Sequence, residues 1–456
     1  MIFRVKHGIL FVVLVALFPF PCSGGEAILS LGKAVEIALK QNPTLQAAKL
    51  TFSMARQAER EAWTKYFPAI KFGYNYTRWN EEQHVRLQPV TIPPLAPGQE
   101  AVTIKPGNVI TSKQNVYQYT FSFQQPVFTG WAITAAHKMA LLEADQAELE
   151  AAETCLEVAY NVKRAYFAIL KAERRVEVAR LAVKQLSKHL YVAQNFFDQG
   201  IIPRNDLLKS QVALANAKQD MTRAENGLEV AKATLNSILH RDVNAALTVE
   251  EVFILPAPAL SLNDAVAEAM ERRPVVLAVR KGVDKAHEGV RLARSGYFPQ
   301  VFLEGVYRKH GNTPDCTGDD LTDPEDWRIT ASLEWTLFEM GRTRHQVEKA
   351  RLGELRALAL LEEVRDQVAL EVKEAYLDME TASRNIETAK SAVEQAKENF
   401  KVTEERYREQ IDTSTEVLDA QTLLTQAQTY YYRAVYQYDV AVARLFRVLG
   451  RNLDKG

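Results

Sequence analysis

The stretch Phe197-Asp198-Gln199-Gly200-Ile201-Ile202-Pro203-Arg204-Asn205-Asp206-Leu207-Leu208-Lys209-Ser210-Gln211 interrupts a very long helical tract, and it has a counterpart. Tyr407-Arg408-Glu409-Gln410-Ile411-Asp412-Thr413-Ser414-Thr415-Glu416-Val417-Leu418-Asp419-Ala420-Gln421 lies 210 residues later in the same register. Phe197 falls on Tyr407, Ile201 on Ile411, Asp206 on Glu416, Leu208 on Leu418 and Gln211 on Gln421. Two helix reversals of one design imply a duplicated chain.

The duplication extends upstream. Leu29-Ser30-Leu31, Ala34, Val35, Ala38, Pro43 and Tyr66-Phe67-Pro68 return 231 residues later as Leu260-Ser261-Leu262, Ala265, Val266, Ala269, Pro274 and Tyr297-Phe298-Pro299, with no gap. A fixed-offset repeat of this length is not a product of chance. Each copy starts with two helices, the second restarted by its proline and stopped at Tyr-Phe-Pro.

Alternating stretches follow. Ile70, Phe72, Tyr74 and Tyr76 oppose Lys71, Gly73, Asn75 and Thr77; Tyr117, Tyr119, Phe121 and Phe123 oppose Gln118, Thr120, Ser122 and Gln124. In the second copy Val301, Leu303 and Tyr307 share a face. Trp327, Ile329, Ala331, Leu333 and Trp335 share another, against Arg328, Thr330, Ser332 and Glu334. A period of two predicts strands. Aromatic residues on the apolar face, at about ten residues per strand, fit a transmembrane barrel better than a sheet packed on helices. The joining loops differ: residues 80–114 are long and Pro-rich, and residues 310–326 are shorter and acidic (Asp315, Asp319, Asp320, Asp323, Glu325, Asp326). That difference reduces the repeat offset from 231 to 210.

Each copy then runs into an Ala-, Leu-, Glu- and Lys-rich tract, from about residue 132 to 199 and from about 342 to 409. Roughly 68 residues make about 100 Å of helix, a length suited to coiled coils and helical tubes. Return helices are expected over about 205–240 and 413–449, beyond the two reversals.

The address is export. Arg4 and Lys6 precede an apolar run over residues 9–20, too short to span a bilayer, and Ser23, Gly24 and Gly25 follow; this reads as a signal peptide cleaved near Gly24. Pro19, Phe20 and Pro21 before Cys22 argue against a lipid-anchored terminus. Of the other cysteines, Cys155 sits in a helical tract and Cys316 in a polar loop, and nothing suggests that they pair. With 56 Lys and Arg against 57 Asp and Glu, no basic field calls for nucleic acid. The eight histidines are scattered, His287-Glu288 lacks the second His of a zinc-protease helix, and no Gly-rich phosphate loop is present. Neither an enzyme nor a cofactor is expected. Four strands per chain cannot close a barrel, so spanning strands would require several chains.

The whole plan of helix, strand, long loop, strand, long helix, reversal and return helix resembles the TolC family of outer-membrane efflux proteins. The marks are the paired Tyr-Phe-Pro segments, Pro126-Val127-Phe128 and Leu337-Phe338, residues 200–211 and 413–421, and Glu416-Val417-Leu418-Asp419-Ala420. The resemblance implies a mainly α fold with a small transmembrane β part. In it a duplicated chain contributes four strands to a 12-stranded trimeric barrel in outer-membrane lipid. The expected layout is a signal peptide over 1–24, a first repeat over 25–241, a connector over 242–259, a second repeat over 260–450 and a tail over 451–456. The implied function is the exit duct of a tripartite efflux or type I secretion system, gated at its periplasmic tip by an adaptor and an inner-membrane pump.

Glu416 and Asp419, at i and i+3, share a helix face and would form two acidic rings in a trimer. The resemblance makes Asp206 and Tyr407 a latch between the reversals. Asp412 departs from the basic residue of the best-known members, with Arg204 as a substitute positive partner, and Gln410 replaces a common glycine, so that a differently shaped second turn is expected. Gly200, Ile201, Ile202 and Ile411 form the expected adaptor contact, apolar at a polar tip. The rival class is a periplasmic coiled-coil adaptor or scaffold without a conduit, which predicts no paired strands. A conduit for secreted polypeptides rather than small molecules is equally compatible with the chain.

Overall fold

The structure is a computed structural model, and it describes residues 28–93, 97–98, 100–105, 107–251, 256–318 and 323–451. The signal peptide with Cys22, loop residues Asp319 and Asp320 and the tail beyond Arg451 lie outside the described residues. Eight helices are described: α1 (Leu31–Gln41), α2 (Pro43–Thr64), α3 (Ala132–Asp198), α4 (Arg204–Ile238), α5 (Leu262–Arg272), α6 (Pro274–Arg294), α7 (Arg342–Arg408) and α8 (Ser414–Val448). Eight strands are described: β1 (Ala69–Arg78), β2 (Gln83–Arg86), β3 (Val90–Ile92), β4 (Val102–Ile104), β5 (Asn108–Ser112), β6 (Asn115–Phe128), β7 (Gln300–Gly311) and β8 (Glu325–Glu334). The chain forms two compact units. Of the described residues, one comprises those within 28–42, 158–258 and 378–444; the other comprises those within 43–157, 259–377 and 445–451.

The repeat holds at the level of backbone geometry. Asn42 and Arg273 end α1 and α5 with nearly identical angles (φ/ψ −64°/123° and −68°/124°), and a proline at the first helical position restarts the chain after each. Of α1 and α5, only α5 carries a side-chain cap. Ser261 accepts from the Asp264 amide at 3.2 Å, whereas Ser30 makes no such bond and has Lys33 in place of the acid. α3 and α7 are 67 residues each, and α4 and α8 are 35 each. Before each long helix two successive residues are left-handed, Gly130 and Trp131 in one copy and Met340 and Gly341 in the other. At Gly130 a Cβ would come within 2.6 Å of the Ser295 carbonyl, so the glycine is required by proximity as well as by φ.

In the unit that contains them, β1, β6, β7 and β8 form one antiparallel sheet in that order. The register stacks Phe72, Phe121, Tyr307 and Trp327 in one row and Ile70, Phe123, Gly305 and Ile329 in the next. Phe123 covers Gly305 so closely that a Cβ there would lie 2.1 Å from its ring. Tyr74, Tyr76, Tyr117 and Tyr119 add an aromatic band, with Tyr76 stacked on Tyr117 at 4.6 Å. This apolar face is open: Trp327 is 73% and Ile70 77% exposed. Among the described residues β1 pairs only with β6 and β8 only with β7, which leaves both outer edges of the sheet without a partner strand in one chain. The loop over 80–114 is more ordered than its composition suggests, since β2 pairs with β5 and β3 with β4. Prolines and glycines there punctuate short strands. Among the described residues, no helix is long and apolar enough to cross a membrane.

The same unit buries Arg273 among carboxylates. It meets Glu153 at 3.3 Å and Glu371 at 2.6 Å, and Arg447 adds ion pairs to Glu157 and Glu371. The close Arg273–Glu371 contact is Coulombic, because the N–H does not point along it. In the other unit Leu29 bridges Val249 in parallel, and the buried Tyr166 hydroxyl lies 2.9 Å and 2.7 Å from the carbonyls of Leu29 and Glu250. Burial pushes that phenol up to about 12. This contact ties the connector to α3. The cysteines Cys155 and Cys316 are free.

Candidate functional site at the two helical reversals

Both reversals lie within one compact unit. α3 closes with the Gly200 amide on the Phe197 carbonyl (2.9 Å) and the Ile201 amide on the Phe196 carbonyl (2.8 Å), and Gly200 is left-handed at φ 72°. This is the Schellman closure. α7 closes identically, with Gln410 on Tyr407 (3.0 Å), Ile411 on Arg406 (2.9 Å) and Gln410 at φ 62°. The expectation of a differently shaped second turn is therefore corrected. The glutamine takes the glycine's conformation, and α7 is capped as α3 is.

Polar contacts join the two hairpins. His189 of α3 places Nε2 2.8 Å from the Ser414 hydroxyl at the start of α8, and Ser414 lies 3.0 Å from the Ser210 hydroxyl of α4. Lys209 donates to Thr415 at 3.2 Å. Tyr407 is buried, packed on His189 (ring centroids 4.9 Å) and Phe196 (5.5 Å). Burial and, further down, the charge of Asp206 push its hydroxyl's pKa up, against the pull of Ser414. The hydroxyl itself has no hydrogen bond of good geometry. Burial alone holds His189 low, at about 4.

The structure brings some of the anticipated residues together and not others. Asp206 and Tyr407 are neighbours without a hydrogen bond between them, and Asp206 pairs with Lys209 at 3.5 Å. Asp412 is held by Arg406 of its own turn at 2.8 and 3.1 Å, a bidentate contact that keeps the guanidinium charged. The Arg204–Asp412 pair is thus absent among the described residues, and Arg406, six residues back on the far side of the same reversal, holds Asp412 instead. Glu416 and Asp419 are both exposed on one side of α8, while the adjoining Val417 and Ala420 are buried. Gly200, Ile201 and Ile411 are exposed and Ile202 is half-buried. His189, Ser210 and Ser414 were not singled out in the sequence. The available signal was His189 on the face of α3 shared by Leu186 and Ala193, at i−3 and i+4. Among the described residues no group of three or more His, Cys, Asp or Glu is set to hold a metal ion.

Residues 34–240 and 265–451 match the family described as outer membrane efflux protein. The chain belongs to that family. The outer membrane efflux proteins are channel proteins of the outer membrane that extend into the periplasm. Among sequence relatives, outer membrane protein TolC of Vibrio cholerae serotype O1 is 24% identical over 234 residues, 51% of this chain and 53% of that protein. Alkaline protease secretion protein AprF of Pseudomonas aeruginosa is 22% identical over 337 residues, 71% of this chain and 65% of that protein. The chain spans about half the length of the curated relatives it matches, between 41% and 65%. Among solved structures, CusC superposes with a TM-score of 0.78 at 14% identity, covering 94% of this chain and 93% of its own. VceC from Vibrio cholerae does so with 0.77 at 18%, covering 92% and 96%. These structural likenesses are ones of fold. An adaptor or scaffold without a conduit does not fit this family.

Proposed function

We propose that this outer membrane efflux protein is the passive exit duct of a tripartite efflux or type I secretion assembly. The observation that carries the reading is the four-stranded sheet with an exposed aromatic face and two free edges. Such edges are not tolerated in lipid, so the sheet must be completed by other copies. Three chains give twelve strands, an even count within the range of outer-membrane barrels. The homotrimer would set its apolar face in outer-membrane lipid and gather six reversals at its periplasmic tip. The repeats over 25–241 and 260–450, joined by the connector over 242–259, are the units of that pseudosymmetry.

At the tip, Glu416 and Asp419 would make two acidic rings that concentrate cations at the constriction. The contacts among His189, Ser210, Ser414, Tyr407 and Asp206 would hold the reversals together. Gly200, Ile201, Ile202 and Ile411 would offer the apolar surface for a periplasmic adaptor, itself bound to an inner-membrane pump. Opening is then a shift between two arrangements, driven by whatever the adaptor gains in one of them. The duct catalyses nothing, needs no cofactor and binds no nucleic acid. Relatives include a protein named for fusaric acid resistance and another for alkaline protease secretion, so small molecules and polypeptides are both fitting cargo, chosen by the pump.

Cell fractionation with cross-linking tests the reading. The expected result is an outer-membrane particle of three chains that forms discrete channels in planar lipid bilayers. A monomer in the soluble periplasmic fraction would sink it.

A further inference from the structure

The side chain joining three helices of the tip to α3 is a buried imidazole, His189, only 5% exposed. From α7 it faces the Tyr407 ring, from α8 the Ser414 hydroxyl, and from α4, through Ser414, the Ser210 hydroxyl. Charged groups beside the cluster are Asp206, which acts on Tyr407, and Lys209, which donates to Thr415; the two pair with each other at 3.5 Å. Among the described residues no carboxylate hydrogen-bonds to His189. The hydroxyls form a relay with two consistent polarities. Ser210 donates to the Asp206 carbonyl at 3.1 Å, Ser414 to Ser210, and Nε2–H to Ser414; or else Ser210 donates to Ser414 and Ser414 to an unprotonated Nε2. The second polarity requires a neutral ring, whereas the first needs only the proton on Nε2.

We propose that His189 is an acid-labile pin between the two reversals, released when the imidazole takes up a proton. This rests on the exit-duct reading above. In one polarity the added proton destroys the acceptor that Ser414 uses. In the other it leaves a second N–H, at Nδ1, in a site without an anionic partner. Either way the added charge sits on a ring that is only 5% exposed, and parting of the hairpins would hydrate it. The sign follows from linkage. The group's value is pushed below the ordinary 6.5, to about 4, so the neutral contact is intact above about 6.5 and is lost as pH falls toward 4. A groove of about 450 Å³ among α3, α4 and α8, lined by Leu186, Ala217, Leu418 and Gln421, begins one turn of α3 from His189. Packing beside it is therefore incomplete, and the polar contact matters more. The proposed Glu416 and Asp419 rings would place further charge at the same tip, so they are removed before the pin is tested.

The test removes the rings first. In a Glu416→Gln, Asp419→Asn background, closed-state conductance in planar bilayers is measured from about pH 7.5 to 4.5 on the tip side. It should rise at least about threefold, and adding His189→Gln should flatten the response. A rise that survives His189→Gln, or no rise in the background, overturns the pin. Hydrogen exchange over residues 403–417 of the background protein, corrected for intrinsic pH dependence, gives a second readout that needs no His189 variant. Protection should fall about tenfold over the same range, and unchanged protection overturns the proposal. Failure to form channels would defeat the exit-duct reading, whereas exchange tests the pin by itself.

Discussion

Gln410 stands one repeat after Gly200, and both backbones are left-handed, with φ of 62° and 72°. No neighbour would crowd a Cβ at Gly200, so what separates the two sites is backbone preference alone. A non-glycine residue there costs on the order of 1 kcal/mol. Gln410→Gly should stabilise the second reversal by about that amount, less the added entropy of the unfolded chain, and Gly200→Ala should destabilise the first by about 1 kcal/mol. Opposite shifts in guanidinium midpoint check both; equal effects at the two sites would refute the shared geometry.

Most of the fold was legible because its signals are periodic. The two long helices, the return helices, β1 and β8 were bounded within about two residues by pattern and punctuation, while β6 and β7 run four residues past the alternation that marked them. The hairpins β2–β5 and β3–β4 were not, since strands of three to five residues between prolines carry too few alternations to register. Side-chain partners were harder still. Gln125 donates to the Tyr66 carbonyl at 2.9 Å, and Trp335, its counterpart, donates to the Tyr297 carbonyl at 3.2 Å. The task is conserved between the copies while the residue is not, so no motif records it. Arg406 as the partner of Asp412, and His189 with Ser414, are likewise set by which side chain arrives first in space.

Tyr407 and Asp206 give a prediction that separates stability from gating. The buried Tyr407 hydroxyl has no hydrogen bond of good geometry, so Tyr407→Phe removes an unsatisfied group. Within one chain it should be neutral or stabilising by up to about 1 kcal/mol. If the trimer recruits that hydroxyl as a latch, Asp206→Ala with Tyr407→Phe still raises closed-state conductance in planar bilayers. Unchanged conductance would assign the latch to His189 and Ser414 instead.

Arg273 offers a contrast between buried and exposed ion pairs. Its side chain is 5% exposed between Glu153 and Glu371, which are themselves partly solvated. Breaking a buried pair leaves carboxylates without their counter-charge; discounted for that solvation, Arg273→Met should cost about 2–3 kcal/mol. Arg384, exposed and four residues from Glu380, should cost under about 0.5 kcal/mol when replaced by Ala. Guanidinium unfolding of both variants decides. Similar losses would mean that the Arg273 network is no more than a surface arrangement.

Glu416 and Asp419 lie on the exposed side of α8, one turn apart, with Val417 and Ala420 turned into the hairpin. A three-fold axis through the tip would bring six carboxylates together. Six like charges at a constriction attract counter-ions steeply with valence, so a trivalent cation should bind there far more tightly than a monovalent one. That attraction weakens as added salt screens it over about 8–10 Å. Replacing both residues with Ala should weaken trivalent-cation block of bilayer conductance by at least about tenfold, with the single variants intermediate. Both variants should keep their unfolding midpoints, since neither side chain is packed. Block of equal strength in the double variant would remove the rings from the tip and leave the pair as a solvated helix face.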